Sequence, residues 1–397
     1  MRTISSAFPK VDFARFHREE IPRLLGAGNG RLAAGSARSL APLAFRVADG
    51  PAYTYLLRDG SVDVVEGDTD AQTVAVMTPR QWSDLVNQLR SVPNLVYSGE
   101  LRVERGEIGH VMAWELALQA LIHGRPTFTP DKARPRDDNG VALDLERVFT
   151  TESEDRELAD FLRRAGFVHV RAVLDENEIN ELRLAADTVT EAARPGDRRS
   201  WWAHDGNDHP LLCRVTYANQ SSEPIARLSH HAQLLRLGGL LGPDSVDTPD
   251  RMDGHSLIIK HPGAVDGLSD LPWHIDCGMG GHSFMCPIVQ LSVFLEAANP
   301  ESGTLSIIPG SHRFATPMPS AAEEHAFGAV DVEAAPGDVL VHLGDTMHAA
   351  KSPRGDGPYR RSIVMSFFQR RLLEIVDAGE AYNDVLLDDP DGQVRHI

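Results

Sequence analysis

The sequence predicts a small α+β domain at its N-terminal end, followed by a larger, mainly β domain of jelly-roll type with flanking helices. Three observations carry this reading. At 397 residues the chain is longer than a single hydrophobic core usually sustains. A stretch rich in proline and charge, TFTPDKARPRDDNG from Thr127 to Gly140, has the composition of an exposed linker. Across it the hydrophobic rhythm changes from mixed strand and helix periods to short strands divided by Gly/Pro turns. The expected boundaries are 1–126 for the first domain, 127–146 for the linker and 147–397 for the second domain.

In the first domain, strand-like runs lie at Tyr53–Leu57, Val62–Val65 and Thr73–Met77, the first two joined by the turn residues Arg58-Asp59-Gly60. Thr78-Pro79 opens a helix whose apolar residues Trp82, Leu85, Val86 and Leu89 recur at helical spacing. A short strand at Gly99–Val103 precedes a second helix through Trp114, Leu118 and Leu121, ending near Gly124. The second domain opens with a helix at Asp155–Ala165, a strand at Phe167–Arg171 and a helix at Asp175–Ala192, where Asp175 and Glu178 form a capping box. Strands then dominate: Ser256–Lys260, Val289–Leu295, Thr304–Ile308, Asp338–His342 and Arg361–Phe368. The adjacent Trp201-Trp202 falls in a loop-like stretch, with Tyr217, Asn219 and Gln220 nearby; core packing or cover for a hydrophobic substrate would each account for the two indoles.

The net charge of −18 disfavours nucleic acid and anionic membranes as general partners, since either needs a concentrated basic surface. Three cysteines, Cys213, Cys277 and Cys286, cannot form a disulfide framework and suit a reducing compartment, each read as a small buried hydrophobe. The opening MRTISSAFPKVDF carries no apolar run of signal-peptide length, and nowhere do about 18 apolar residues run together. A cytoplasmic protein without integral membrane association is expected, its oligomeric state open.

The sharpest chemical feature is Trp273-His274-Ile275-Asp276. In an extended segment alternate side chains share a face, so one imidazole and one carboxylate address a common point. A second imidazole would complete the facial triad of non-haem Fe(II), which leaves coordination positions open for a bidentate co-substrate and oxygen. The segment PGDVLVHLGDTMHAA offers His348; His342, in the same segment, reads as a structural histidine ending an apolar strand. Beyond it comes Arg360-Arg361-Ser362, where a guanidinium and a hydroxyl two residues apart share a strand face. That pair suits the far carboxylate of a dicarboxylic keto acid.

With these residues in place, the stretch from about Phe161 to Phe368 resembles the phytanoyl-CoA dioxygenase family. The matching pieces, in order, are FLRRAGFVHVRAVLDENEI, the HID motif at His274–Asp276, GTLSIIPGSHR, PGDVLVHLGDTMHAA and YRRSIVMSFF. The resemblance implies a double-stranded β-helix of cupin-like shape, with Fe(II), 2-oxoglutarate and O2 as metal and co-substrates. It implies iron ligation by His274, Asp276 and His348, and keto-acid carboxylate binding by Arg360. The family places this arginine just after an aromatic, here Tyr359, which favours Arg360 over its rival Arg361. Ser362, Lys260, Gln290 and Ser292 are further candidates for the co-substrate pocket, chosen by strand position. Because Asp276 is present, no ligand position is vacated for halide. The segment after His348, AAKSPRGDGP, departs from the family's usual small residues and asparagine, and bears on the lid of the substrate pocket.

The expected activity is hydroxylation or desaturation of an unactivated C–H bond in a hydrophobic small molecule: an acyl thioester, a terpenoid or a sterol. The first domain resembles the sterol carrier protein-like fold by order and composition, which favours an apolar ligand. Two rivals are a non-catalytic ligand-binding or carrier protein, which makes no succinate, and an oxygenase acting on a small polar metabolite.

Overall fold

The computed structural model describes residues 8–47, 50–97, 99–251, 253–266, 271–276, 288–354 and 357–373. The chain divides into two compact units, the first built chiefly on Met1–Ala133 and the second on the chain from Arg134 onward.

The first unit holds five strands, β1 (Leu43–Val47), β2 (Ala52–Arg58), β3 (Ser61–Glu66), β4 (Thr73–Met77) and β5 (Arg102–Arg105), in the order β3-β2-β1-β4-β5. The β2–β3 hairpin turns on Asp59 and Gly60, both at positive φ (50° and 75°), which is the twist a two-residue hairpin loop needs. Sequence periodicity had no signal for β1, although it lies at the sheet's centre, antiparallel to β2 and parallel to β4. The strand expected at Gly99–Val103 begins later, because Gly99 sits at φ 66° and Leu101 is drawn into the core. Thr78 caps the helix Pro79–Val86 through a reciprocal capping box with Gln81. The interior is aromatic: Phe45, Tyr55, Trp82 and Trp114 are fully buried, and Phe13 meets Trp82 edge-on at 5.0 Å. His17 is enclosed among them, stacked on Tyr53 at 4.1 Å with its Nε2 2.8 Å from the Tyr55 hydroxyl.

In the second unit, the helix Asp155–Ala165 ends on Gly166 at φ 85°, whose N–H bonds to the Leu162 carbonyl. A Cβ at Gly166 would stand 2.5 Å from Thr346 Oγ1, so both the left-handed backbone and the close approach demand glycine there. Asp175 and Glu178 cap the helix Glu176–Ala192 reciprocally. The strands are β6 (Val148–Phe149), β7 (Phe167–Val170), β8 (Ser200–Asp205), β9 (Pro210–Val215), β10 (Ser245–Asp247), β11 (Ser256–Lys260), β12 (Ala264–Asp266), β13 (Leu271–His274), β14 (Val289–Phe294), β15 (Leu305–Ile307), β16 (Val330–Val332), β17 (Val339–Leu343), β18 (His348–Ala350) and β19 (Arg360–Gln369). The larger sheet runs β12-β8-β9-β11-β19-β14-β17-β7-β6, with β10 also on β19; the smaller runs β13-β18-β15-β16.

Val289, Leu291, Val293, Val339, Val341, Ile363 and Met365 are fully buried on β14, β17 and β19, the apolar alternation of strands whose one face meets the core. Trp201 and Trp202 lie on β8 rather than in a loop, paired with β9. Trp201 is buried beneath the Arg214 guanidinium, 4.7 Å from its ring centre, so it packs the unit. Cys213, on β9, is buried, which pushes its thiol up to about 11; Cys277 and Cys286 lie outside the described residues. No described helix is long and apolar enough to cross a membrane.

Candidate metal centre

β13 and β18 pair antiparallel with His274 opposite His348, which brings two imidazoles from distant parts of the chain to a ring separation of 4.2 Å. Asp276 follows β13, its backbone N–H anchored 2.7 Å from the Gly344 carbonyl just ahead of β18. One ligand atom from each of His274, Asp276 and His348 lies within 4.8 Å of the others. His274 Nε2 is 3.6 Å from Asp276 Oδ1, and His348 Nε2 is 3.8 Å from Oδ2.

The hydrogen-bond partners fix what these nitrogens offer. His274 Nδ1 is 2.7 Å from the Pro272 carbonyl and His348 Nδ1 is 2.9 Å from the Thr346 carbonyl. A carbonyl only accepts, so each Nδ1 carries a hydrogen and each Nε2 is the nitrogen left on the side of the carboxylate. Burial, reinforced by His274, pushes His348 down to about 3. Burial by itself would raise the Asp276 carboxyl, but His348, His274 and His342 around it hold it well below the usual carboxylate range. Two imidazole Nε2 atoms and an ionised carboxylate converging on one point fit a divalent cation. The two-nitrogen, one-oxygen set suits non-haem Fe(II) and differs from the closed four-ligand set of a structural zinc site.

His274, Asp276 and His348 line a cavity with Arg360, Ser362, Gln290 and Ser292. Arg360 is 3% exposed, burial pushes its guanidinium down to about 10, and its Nε has no hydrogen-bond partner among the described residues. It lies 5.6 Å from the Phe294 ring centre. A buried guanidinium with an unanswered donor, lining the same cavity as His274, Asp276 and His348, has the chemistry to take a carboxylate. Arg361, one residue on, takes the opposite strand face: its Nη2 donates to Glu296 Oε1 at 2.8 Å and its Nη1 to Asp187. Gln290 accepts from the Ser366 hydroxyl at 2.9 Å.

Lys260 is placed differently from the expectation. It is buried opposite Arg360 but does not line the cavity, and its ammonium donates to the Ala350 carbonyl at 2.6 Å. A long side chain starting on the right strand face can still send its charged end past the cavity. The cavity also includes Arg214, Phe294, Leu305 and His342, to which sequence reading had assigned no place in the site. Arg214 has only its alternation along β9 as a signal. His342 has one stronger clue, its position on the strand that leads into His348.

A profile of the family described as Phytanoyl-CoA dioxygenase (PhyH) matches residues 162–362, a span that contains every one of these cavity residues. The chain belongs to the phytanoyl-CoA dioxygenase family. As a member of it, the protein is a non-haem Fe(II)- and 2-oxoglutarate-dependent oxygenase that consumes O2. Among solved structures, AviO1 from Streptomyces viridochromogenes Tue57 is 27% identical over 54% of this chain and 95% of its own, with a TM-score of 0.42. The 2-oxoglutarate and 5-hydroxyectoine complex of EctD from S. alaskensis is 21% identical over 59% of this chain and 82% of its own, TM-score 0.44. The non-heme alpha ketoglutarate dependent carbocyclase SnoK from nogalamycin biosynthesis is 21% identical over 56% and 87%, also at 0.44. No curated protein matches this phytanoyl-CoA dioxygenase family member.

Proposed function

We propose that His274, Asp276 and His348 hold the iron of this oxygenase and that Arg360 holds the far carboxylate of 2-oxoglutarate. The observation that carries the reading is Arg360 itself, buried, unpaired at Nε and lining the same cavity as the three ligands. Ser362 sits on the same face of β19 and adds a hydroxyl beside the guanidinium. Gln290 and Ser292 supply polar contacts along β14; Arg214 lines the same cavity with its charge already paired to Asp253 at 2.9 Å. Bound iron, with 2-oxoglutarate and O2, supplies the oxidising power that takes hydrogen from an unactivated C–H bond while the keto acid becomes succinate and carbon dioxide. The protein's own residues fix the imidazole tautomers, seat the dicarboxylate and enclose the cavity. In the hydroxylation, one oxygen atom of O2 enters the substrate and the other enters succinate.

The proposed substrate is a hydrophobic small molecule, an acyl thioester, terpenoid or sterol, hydroxylated or desaturated by a cytoplasmic enzyme. The proposed domains are a sterol carrier protein-like unit at 1–126, a linker at 127–146 and a double-stranded β-helix at 147–397. The five-stranded mixed sheet of the first unit and the two sheets of the second support this division.

Anaerobic addition of Fe(II) and 2-oxoglutarate tests the site by difference spectroscopy. The wild type is expected to develop a visible charge-transfer band that His274→Ala abolishes and that Arg360→Ala shifts to far higher keto-acid concentration. Folded, iron-loaded protein without a band overturns the reading.

A further inference from the structure

Beside the three proposed ligands stands a fourth polar side chain. His342, on β17, is 3% exposed and lines the cavity. Its ring centre is 4.5 Å from that of His348, and its Nε2 is 3.3 Å from Asp276 Oδ2. Its Nδ1 is buried with no hydrogen-bond partner among the described residues. Between β14 and β7, with Gln290 and Phe167 as its backbone neighbours in register, the ring is fixed by the larger sheet, while the ligands His274 and His348 are strand residues of the smaller sheet.

The two nitrogens therefore have unequal surroundings. A hydrogen on Nδ1 would be a dry donor without an acceptor, whereas a hydrogen on Nε2 meets a carboxylate oxygen. A hydrogen on Nε2 and none on Nδ1 is the arrangement that leaves no donor unanswered. His342 also lies outside the group whose ligand atoms gather within 4.8 Å, so it reaches the carboxylate rather than the centre of the cluster.

We infer that His342 is a positioning residue: its Nε2–H holds Asp276 Oδ2, so that the carboxylate presents a single oxygen to the metal. An oxygen engaged by a donor is a poorer metal ligand, and a carboxylate pinned at one oxygen cannot swing to bind through both. One-oxygen ligation keeps coordination positions open for the keto acid and O2, which a two-oxygen carboxylate would narrow. The larger sheet thus sets the orientation of a ligand that the smaller sheet carries. The inference rests on metal binding at His274, Asp276 and His348.

The test is a Co(II) titration of metal-free protein, followed by visible absorption, on wild type, Asp276→Ala, His342→Leu, His342→Gln and His342→Asn, with a thermal melt of each. Asp276→Ala addresses the metal site itself; undiminished Co(II) binding there removes the site and leaves His342 without its role. With that control passed, His342→Leu is expected to weaken Co(II) about 10–100-fold, the range for losing a hydrogen bond behind a metal ligand, with the band positions retained. His342→Gln, whose amide nitrogen reaches where Nε2 stood, is expected to recover most of the affinity; His342→Asn, which reaches only to Nδ1, is not. Bands shifted to a different donor set make His342 a direct ligand and overturn the inference. So does unchanged affinity in His342→Leu, or equal affinity in the Gln and Asn variants, a comparison that stands even if the Leu variant does not fold.

Discussion

Arg360 and Arg361 are neighbours on β19 and face opposite ways, the first into the cavity lined by His274, Asp276 and His348 with an unpaired Nε, the second into an ion-pair cluster with Glu296 and Asp187. Strand alternation alone separates their roles. The two substitutions should therefore fail differently. Arg360→Ala is expected to raise the 2-oxoglutarate KM about 10–100-fold, the worth of a charge-assisted hydrogen-bond pair, while leaving the melting temperature near wild type. Arg361→Ala is expected to cost about 1–2 kcal/mol, a partly exposed cluster being weaker than a dry one, with the KM unchanged. Steady-state kinetics and urea unfolding of the two variants read both effects.

The convergence of His274, Asp276 and His348 places electron-rich atoms together in the metal-free protein, so a bound divalent ion should stabilise the fold. At a free metal concentration a hundredfold above Kd the gain is about 2.7 kcal/mol, which corresponds to roughly 5–10 °C in the melting temperature of a unit this size. Calorimetry with and without metal, repeated on Asp276→Ala, checks this. The variant is expected to show no metal-dependent shift.

Acid should weaken the first unit through His17. Burial lowers this imidazole from 6.5 to about 4, only partly offset by the Phe13 carbonyl that its ring faces. In the unfolded chain the ring takes its proton near the ordinary value; in the fold it resists until about pH 4. Its contribution is thus complete above pH 6.5 and lost as pH falls from 6.5 toward 4, amounting to about 3 kcal/mol in full. Urea unfolding at pH 7 and pH 4.5 is expected to show this loss in the wild type and a smaller one in His17→Phe. Equal slopes would assign the acid sensitivity elsewhere.

Much of the site was legible because its signals are local. His274 and Asp276 are two residues apart, a spacing that suggests a shared face, although β13 ends at His274 and the chain bends at Asp276, where the Gly344 carbonyl holds it. The capping boxes of Thr78 with Gln81 and Asp175 with Glu178 are likewise written in four consecutive residues, as is the Asp59-Gly60 hairpin turn. β1 was not legible, because a short run with an ordinary pattern becomes a central strand only when β4 lies alongside it. Trp201 read as loop for the same reason: its strand exists through its pairing with β9.

What the sequence by itself determined was which residue types could make the chemistry, their order, and the face each shares with its near neighbours. Only the tertiary structure decided the register that sets His274 against His348, the burial that leaves Arg360 unpaired while Arg361 is neutralised, the departure of Lys260 toward Ala350, and the approach of His342 to Asp276. Periodicity is fixed by backbone geometry over a few residues, whereas cross-strand partners are fixed by which distant segments can close together and bury their apolar faces at once.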